Sequence, residues 1–433
     1  MTDVRAFPFL AYDPDEVGDP GALLAPPYDV INAAERAELA ASSPYQSVLL
    51  ELPEGGDETA AGTLLRKWIS DGVLVGNQGL AVIQQRYVGP DGVRRTRLGV
   101  ECEIRLHEFA ERVVLPHEQT FEAPRLQRLE LMNATAANIS PVFVVYHDPE
   151  RSLIDVVAPI TDDEPDFTST DGDGTQTAVW IVTDAALAES VTEALHPHDL
   201  LIADGHHRYT AALAYRDQAV ARGRHLVAAG GTEYEGLAHT SSTGLDGVLA
   251  VICNSADPGM MVFPTHRIVH GATTRALTEF VVGSGAFDVT DHADVAAAMA
   301  SLDELASPGF VVYTGGKAQL YASNDPVDLE LASPGTSEAY RSLDVTALHS
   351  LIIDGGAVIG QTADKVTYTR SLDEAIATVD AAEDRIGFLM RRVDVAQIHA
   401  VAEANELLPQ KSTYFYPKVP TGVLFRPIED LSV

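Results

Sequence analysis

"LIADGHHRYTAALAY", Leu201–Tyr215, decides how this chain is read. Leu200-Leu201-Ile202-Ala203 is a short apolar run suited to a buried strand, and the Ala-rich sequence from Tyr209 onward suits a helix. Gly205 between them permits a tight turn. His206, His207 and Arg208 then fall at a helix N-terminus, beside unpaired backbone N–H groups and the positive end of the helix dipole. Cations normally avoid that end. Three potential cations there make sense around an anion, above all a phosphate, with Arg208 offering a two-pronged fork. Asp204 would fix a histidine tautomer, hold a magnesium ion or accept a proton. A satisfied surface turn is the plainer alternative.

Working outward, His196 and His198 put four histidines within twelve residues of one another. A zinc site needs three or four of them converging on one point, and adjacent residues such as His206 and His207 diverge. Neither HExxH nor CxxC is present, so His196 and His198 are taken as loop residues. Upstream, "VLPHEQTFEAPRLQRL" carries His117, Glu118 and Thr120 just after an apolar strand. A glutamate beside a histidine can deprotonate a hydroxyl, although capping or surface roles are commoner. Arg128 either adds charge to the site or sits on the exposed face of its helix. Downstream, "FPTHRIVH" repeats a His-Arg pair at His266 and Arg267. "PQKSTYFYPK" holds Lys411 and Lys418, two of only five lysines in the chain, around Ser412 and Thr413. The GxxxxGK of a phosphate loop is missing, and aromatics alternating with polar residues also fit a half-exposed strand.

The bulk numbers exclude several classes. In 433 residues, 29 Lys+Arg against 63 Asp+Glu give a formal charge of −34, a surface that repels nucleic-acid phosphates. Hydrophobic content of 46% and charged content of 21% are ordinary globular values. The acidity fits salt adaptation or codon bias alike. Cys102 and Cys253 are isolated and read as small buried hydrophobes in a reducing compartment. The N-terminus lacks a basic, then apolar, leader, and no apolar run approaches the ~20 residues of a membrane span. A cytoplasmic protein is expected.

Strands and helices mix without strict βαβ alternation, which argues an α+β class with mixed sheets. Three stretches are expected. Residues 1–107 would hold a helix capped by Asn32, a helix ending at Gly72 and a hairpin turning at Gly89-Pro90-Asp91-Gly92. Residues 108–244 would be the chemical centre, with 161–175 as a solvated loop. Residues 245–433 would form a C-terminal α+β region with its own core, starting at the strand VLAVICN.

Taken together, APPYDVI (25–31), LPHEQT (115–120), NISP (138–141), IADGHHRYTAAL (202–213), PTHR (264–267), LDVTALH (343–349) and PQKSTYFYPK (409–418) resemble the signatures of the domain of unknown function 1015 (DUF1015) family. Gln127 departs from the acid expected before Arg128. The DGHHR core is in turn similar to that of the ParB/sulfiredoxin-like fold, and especially to free-serine kinases of that superfamily. That resemblance implies a phosphate cradle at Asp204-Gly205-His206-His207-Arg208 and Glu118 as the base that activates a serine hydroxyl. It also implies ATP or ADP with Mg2+ as cofactors, and serine or phosphoserine as the small-molecule partner. His117, Thr120, Arg128, His266, Arg267, Lys411, Ser412, Thr413 and Lys418 would line the substrate and phosphate. The expected function is phosphotransfer to a small hydroxy amino acid. Its alternatives are a phosphoserine phosphatase-like hydrolase and a non-catalytic nucleotide-binding switch.

Overall fold

Residues 200–204 form the expected strand, and what surrounds that strand defines the first of two units. The computed structural model describes residues 3–196, 198–221, 244–272, 274–324, 326–354 and 366–428. Its chain divides into one unit of Met1–Pro116, Thr120–Met261 and Pro417–Val433, and a second of His117–Gln119 and Val262–Tyr416. The class is α+β, with mixed sheets.

In the first unit the strand order is Val114–Leu115, Leu200–Asp204, Val142–Tyr146, Gly247–Asn254, Arg94–Arg105, Leu74–Val88, Gln176–Val182, Phe167–Thr170. Two short strands, Val4–Arg5 and Phe7–Tyr12, pair beside this path and complete a ten-stranded sheet. Leu200–Asp204 runs parallel to Val114–Leu115 but antiparallel to Val142–Tyr146, and Gly247–Asn254 runs parallel to Val142–Tyr146. GVLAVICN is buried at every position, as a central strand covered on both faces must be. This strand therefore sits in the first unit's sheet, and the stretches 1–107 and 108–244 share that sheet with it.

One sheet face is apolar. Val100, Cys102, Ile104, Val142, Val144, Leu200, Ile202, Ala250 and Ile252 pack against Leu129, Met132, Leu153, Val157, Val191 and Tyr209 from the covering helices. Cys102 and Cys253 are buried free thiols whose pKa burial raises. Period two turns Arg97, Glu101 and Glu103 of Arg94–Arg105 to the other face. There Arg426 pairs with Glu103 in full burial, and the Leu10–Phe425 and Ala25–Thr421 bridges fasten the C-terminal segment. A second core gathers Leu10, Tyr12, Leu50, Leu65, Trp68 and Phe425.

The local signals around this sheet are ordinary ones. Asn32 caps the helix Ala33–Ser42 through a reciprocal box with Glu35. The helix Glu58–Ser70 stops before Gly72, which adopts a left-handed φ of 77°. The expected solvated loop 161–175 instead contains an edge strand, Phe167–Thr170, paired with Gln176–Val182. The alternating F-T-S-T pattern was too polar and short to stand out, but Asp171 closes a hairpin by accepting from the Asp173 and Thr175 N–H groups.

The second unit has a six-stranded antiparallel sheet in the order Phe287–His292, Lys317–Ser323, Gly309–Thr314, Arg385–Leu389, His266–His270, Val366–Thr369. Its core joins Ile268, Val311, Leu320 and Leu389 to Ala298, Leu302, Ala375 and Val379 of two helices. Among the described residues no helix is long and apolar enough to cross a membrane.

Candidate functional site

The strand Leu200–Asp204 ends in a register shift between Ile202 and Asp204, which re-aims the Asp204 carboxylate at the strand's tip. Gly205 follows at φ 91°, and the sixteen-residue helix His206–Ala221 begins at once. That left-handed φ favours glycine, and a Cβ here would lie 2.8 Å from Arg208 Nε and crowd the guanidinium.

Each charged group of the turn has a defined setting. Lys418 Nζ donates to Asp204 Oδ2 at 2.7 Å, and Arg208 Nη2 stands 3.6 Å from Asp204 Oδ1. Burial alone would raise the Asp204 pKa, but Lys418 and Arg208 hold it well below the usual carboxylate range. Arg208 Nη1 donates to the Pro141 carbonyl, while its Nε is buried with no partner among the described residues. His206 is buried. His207 stacks on Phe121, and its Nε2 accepts from the Phe121 N–H at 3.0 Å, which places the proton of a neutral ring on Nδ1.

Arg128 does not sit on an exposed face. It is 3% exposed, and its Nη1 donates to Glu51 twice, to the carbonyl and to Oε1, both at 3.1 Å. Ser140 Oγ donates to the same Glu51 oxygen at 2.9 Å. The Tyr28 ring lies 4.2 Å from Arg128 Cζ and 6.0 Å from Arg208 Cζ, so one phenol faces both guanidinium groups. Burial pushes the Tyr28 hydroxyl up to about 12, so it stays protonated at neutral pH. Thr120 is half-buried just before the helix Glu122–Thr135.

His117 and Glu118 belong to the second unit. His117 is buried, with Nε2 2.8 Å from Thr413 Oγ1 and its ring against Phe415. Glu118 Oε1 accepts from the Lys411 N–H at 3.0 Å, where Lys411 takes a left-handed φ of 54°. Ser412 Oγ donates to the Pro409 carbonyl. Arg267 is buried and donates to the Thr265 carbonyl at 2.6 Å, the Lys411 carbonyl at 3.2 Å and His349 Nε2 at 3.3 Å. Burial lowers its pKa to about 10. Burial, aided by Arg267, lowers His266 to about 4, and His266 Nδ1 accepts from the Met390 N–H at 3.0 Å. In this unit PTHR and PQKST therefore interlock through backbone carbonyls.

The first unit thus brings Asp204, His206, His207, Arg208, Arg128 and Lys418 into one region, while His117, Glu118, Arg267, Lys411 and Thr413 meet in the second. A family model described as "Protein of unknown function (DUF1015)" matches residues 4–346. The chain belongs to the DUF1015 family. Structures similar to this DUF1015 chain include a conserved hypothetical protein from Pyrococcus furiosus, with 13% identity, TM-score 0.34, and 74% of this chain and 94% of that one covered. Others are a free serine kinase in complex with AMP (11%, 0.34, 72% and 88%) and SbnI with a C-terminal truncation from Staphylococcus aureus (10%, 0.37, 76% and 88%). No curated protein matches.

A magnesium ion fits poorly on Asp204, whose charge two cations already compensate, and among the described residues no three His, Cys, Asp or Glu side chains converge as metal ligands. His198 packs 4.8 Å from the Tyr146 ring. Four contributors were missed from sequence: Tyr28, Glu51, Ser140 and the Pro141 carbonyl. The visible signal for Glu51 was a carboxylate inside the apolar run VLLEL, where a lone charge requires a buried partner.

Proposed function

We propose that this protein is a phosphotransferase acting on a small hydroxylated amino acid, serine or phosphoserine, with ATP or ADP as the second reactant. One observation carries the reading. Arg208 Nε is a buried cationic donor with no partner among the described residues, at the N-terminus of a long helix and on a turn whose glycine holds a left-handed φ of 91°. A buried N–H left unpaired is costly, and the free N–H groups of a helix N-terminus favour a phosphate beside it.

Asp204 holds Lys418 and Arg208 in place rather than reacting. The two cations and the helix N-terminus then stabilise charge on the transferring group, which is the chief task in phosphoryl transfer. Glu118 is the candidate base for the substrate hydroxyl, and His207, with its Nε2 committed to Phe121, positions the turn. No step is routed through magnesium, which would accompany the nucleotide.

The test is phosphorus NMR on the purified protein in magnesium buffer. One sample holds L-serine with ATP or ADP and the other O-phospho-L-serine alone. Phosphoserine formed only with nucleotide is the expected result. Inorganic phosphate released from phosphoserine alone would replace the kinase with a hydrolase. Silence in both samples would overturn the serine assignment.

A further inference from the structure

Arg128 and Glu51 present one open set of hydrogen-bonding groups between them. Arg128 uses Nη1 on Glu51, which leaves Nε and Nη2 buried and without partners among the described residues. Those two N–H groups are the parallel prongs on one edge of the guanidinium, the geometry that matches both oxygens of a carboxylate. Tyr28 covers the guanidinium face, at 4.2 Å, and stacking on a face leaves the edge available for in-plane bonds.

Glu51 mirrors this arrangement. Its Oε1 accepts from Arg128 and from Ser140, while Oε2 is buried and accepts nothing among the described residues. An open bidentate donor therefore lies next to an open anionic acceptor. The pair is itself neutral, and each unmade bond carries a desolvation penalty. A ligand that answers both openings without adding net charge is a zwitterion with its carboxylate and ammonium on neighbouring atoms. Neither an inorganic anion nor a simple amine does so.

We infer that Arg128 and Glu51 form the subsite for the head of an α-amino acid, the carboxylate on Arg128 Nε and Nη2 and the ammonium on Glu51 Oε2. Tyr28 links it to the anion turn, since the same ring faces Arg208 at 6.0 Å. Both openings are screened from water, so the ligand is admitted by displacement of the half-buried Tyr28. The inference rests on the phosphate reading of the 204–208 turn only for what lies at the other end of the ligand.

Calorimetric titration of the full chain with three probes tests it. O-phospho-L-serine offers carboxylate, ammonium and phosphate. O-phosphoethanolamine lacks the carboxylate, and 3-phosphoglycerate lacks the ammonium. Phosphoserine should bind at least tenfold more tightly than either. Arg128→Lys, which keeps the charge and loses the fork, should reduce phosphoserine affinity about tenfold and leave phosphoethanolamine unchanged. Glu51→Gln should do the same relative to phosphoglycerate. Should either variant fold poorly, Arg128→Met/Glu51→Gln removes both buried charges together and should bind all three probes alike.

Equal affinity for the three probes in the unaltered protein would overturn the subsite. So would an Arg128→Lys loss shared equally by phosphoethanolamine, or the absence of any phosphoserine binding. Arg208→Ala separates the two readings, because it should weaken all three probes together. If it weakens none while the preference for phosphoserine persists, the phosphate turn fails and the amino-acid subsite stands.

Discussion

Lys418 Nζ reaches Asp204 Oδ2 at 2.7 Å across 214 residues of sequence. Both side chains are about 15% exposed, at 15% and 16%, so solvent screens the pair little. The Gln85 amide donates to the Lys418 carbonyl at 2.9 Å and fixes the lysine's backbone against the sheet.

Lys418→Met should destabilise the first unit by about 3 kcal/mol, because it strands a nearly buried carboxylate. Asp204→Asn/Lys418→Met should cost less than the sum of the single changes, with a coupling of roughly 1–3 kcal/mol in urea unfolding. The sign with pH follows from Asp204. Its folded pKa lies below the unfolded value, so its contribution is complete above about pH 5 and is lost as pH falls through the folded value. Lys418→Met weakens that depression and should raise the pH of acid unfolding. Strict additivity of the two substitutions would remove the pair from the account.

Gly205→Ala meets two obstacles at once, a φ of 91° and a Cβ 2.8 Å from Arg208 Nε. The strain should cost about 1–3 kcal/mol. The crowding should also push Arg208 off the turn, so phosphate-ligand affinity should fall at least tenfold. Unchanged affinity in a calorimetric titration would show that the guanidinium does not serve the anion.

The strand, the turn and the helix of LIADGHHRYTAALAY were legible because periodicity and one glycine specify them locally. So were the Asn32 cap and the hairpin at 89–92. The edge strand Phe167–Thr170 was not, since a short polar strand looks like loop until its partner is known. Nor was the Arg128–Glu51 pair, which joins residues 77 apart. Local pattern says whether a residue type suits a helix; it does not say which distant charge will neutralise it. NISP shows the difference most clearly. Family resemblance singled it out, but only the structure assigns Asn138 to Arg426, Ser140 to Glu51 and the Pro141 carbonyl to Arg208.

Glu118→Gln separates a chemical role from a structural one. The amide oxygen of glutamine can still accept from the Lys411 N–H, so thermal unfolding should shift by less than the equivalent of about 1 kcal/mol. An amide cannot take a proton from a hydroxyl, so turnover should drop by at least 100-fold while nucleotide and phosphoserine still bind. Full activity in Glu118→Gln would move the base elsewhere and leave Glu118 as the fastener of the Lys411 turn.

The second unit should lose stability on mild acidification through His266. Burial and Arg267 hold this imidazole at about 4, below the ordinary 6.5, and its Nδ1 must stay unprotonated to accept from Met390. Between those two values the unfolded chain binds a proton that the folded chain refuses, so stability rises with pH there. The contribution is complete above about pH 6.5, declines below it and levels off near pH 4, for a loss on the order of 3 kcal/mol. Denaturant unfolding at pH 7.5 and 4.5 should therefore differ by less in His266→Gln than in the unaltered protein, by about that amount. The glutamine can keep an acceptor for the Met390 N–H but does not titrate, so the comparison removes the effect of the many carboxylates common to both chains. An identical pH dependence in the two proteins would mean that His266 is charged, or free to charge, in the folded state.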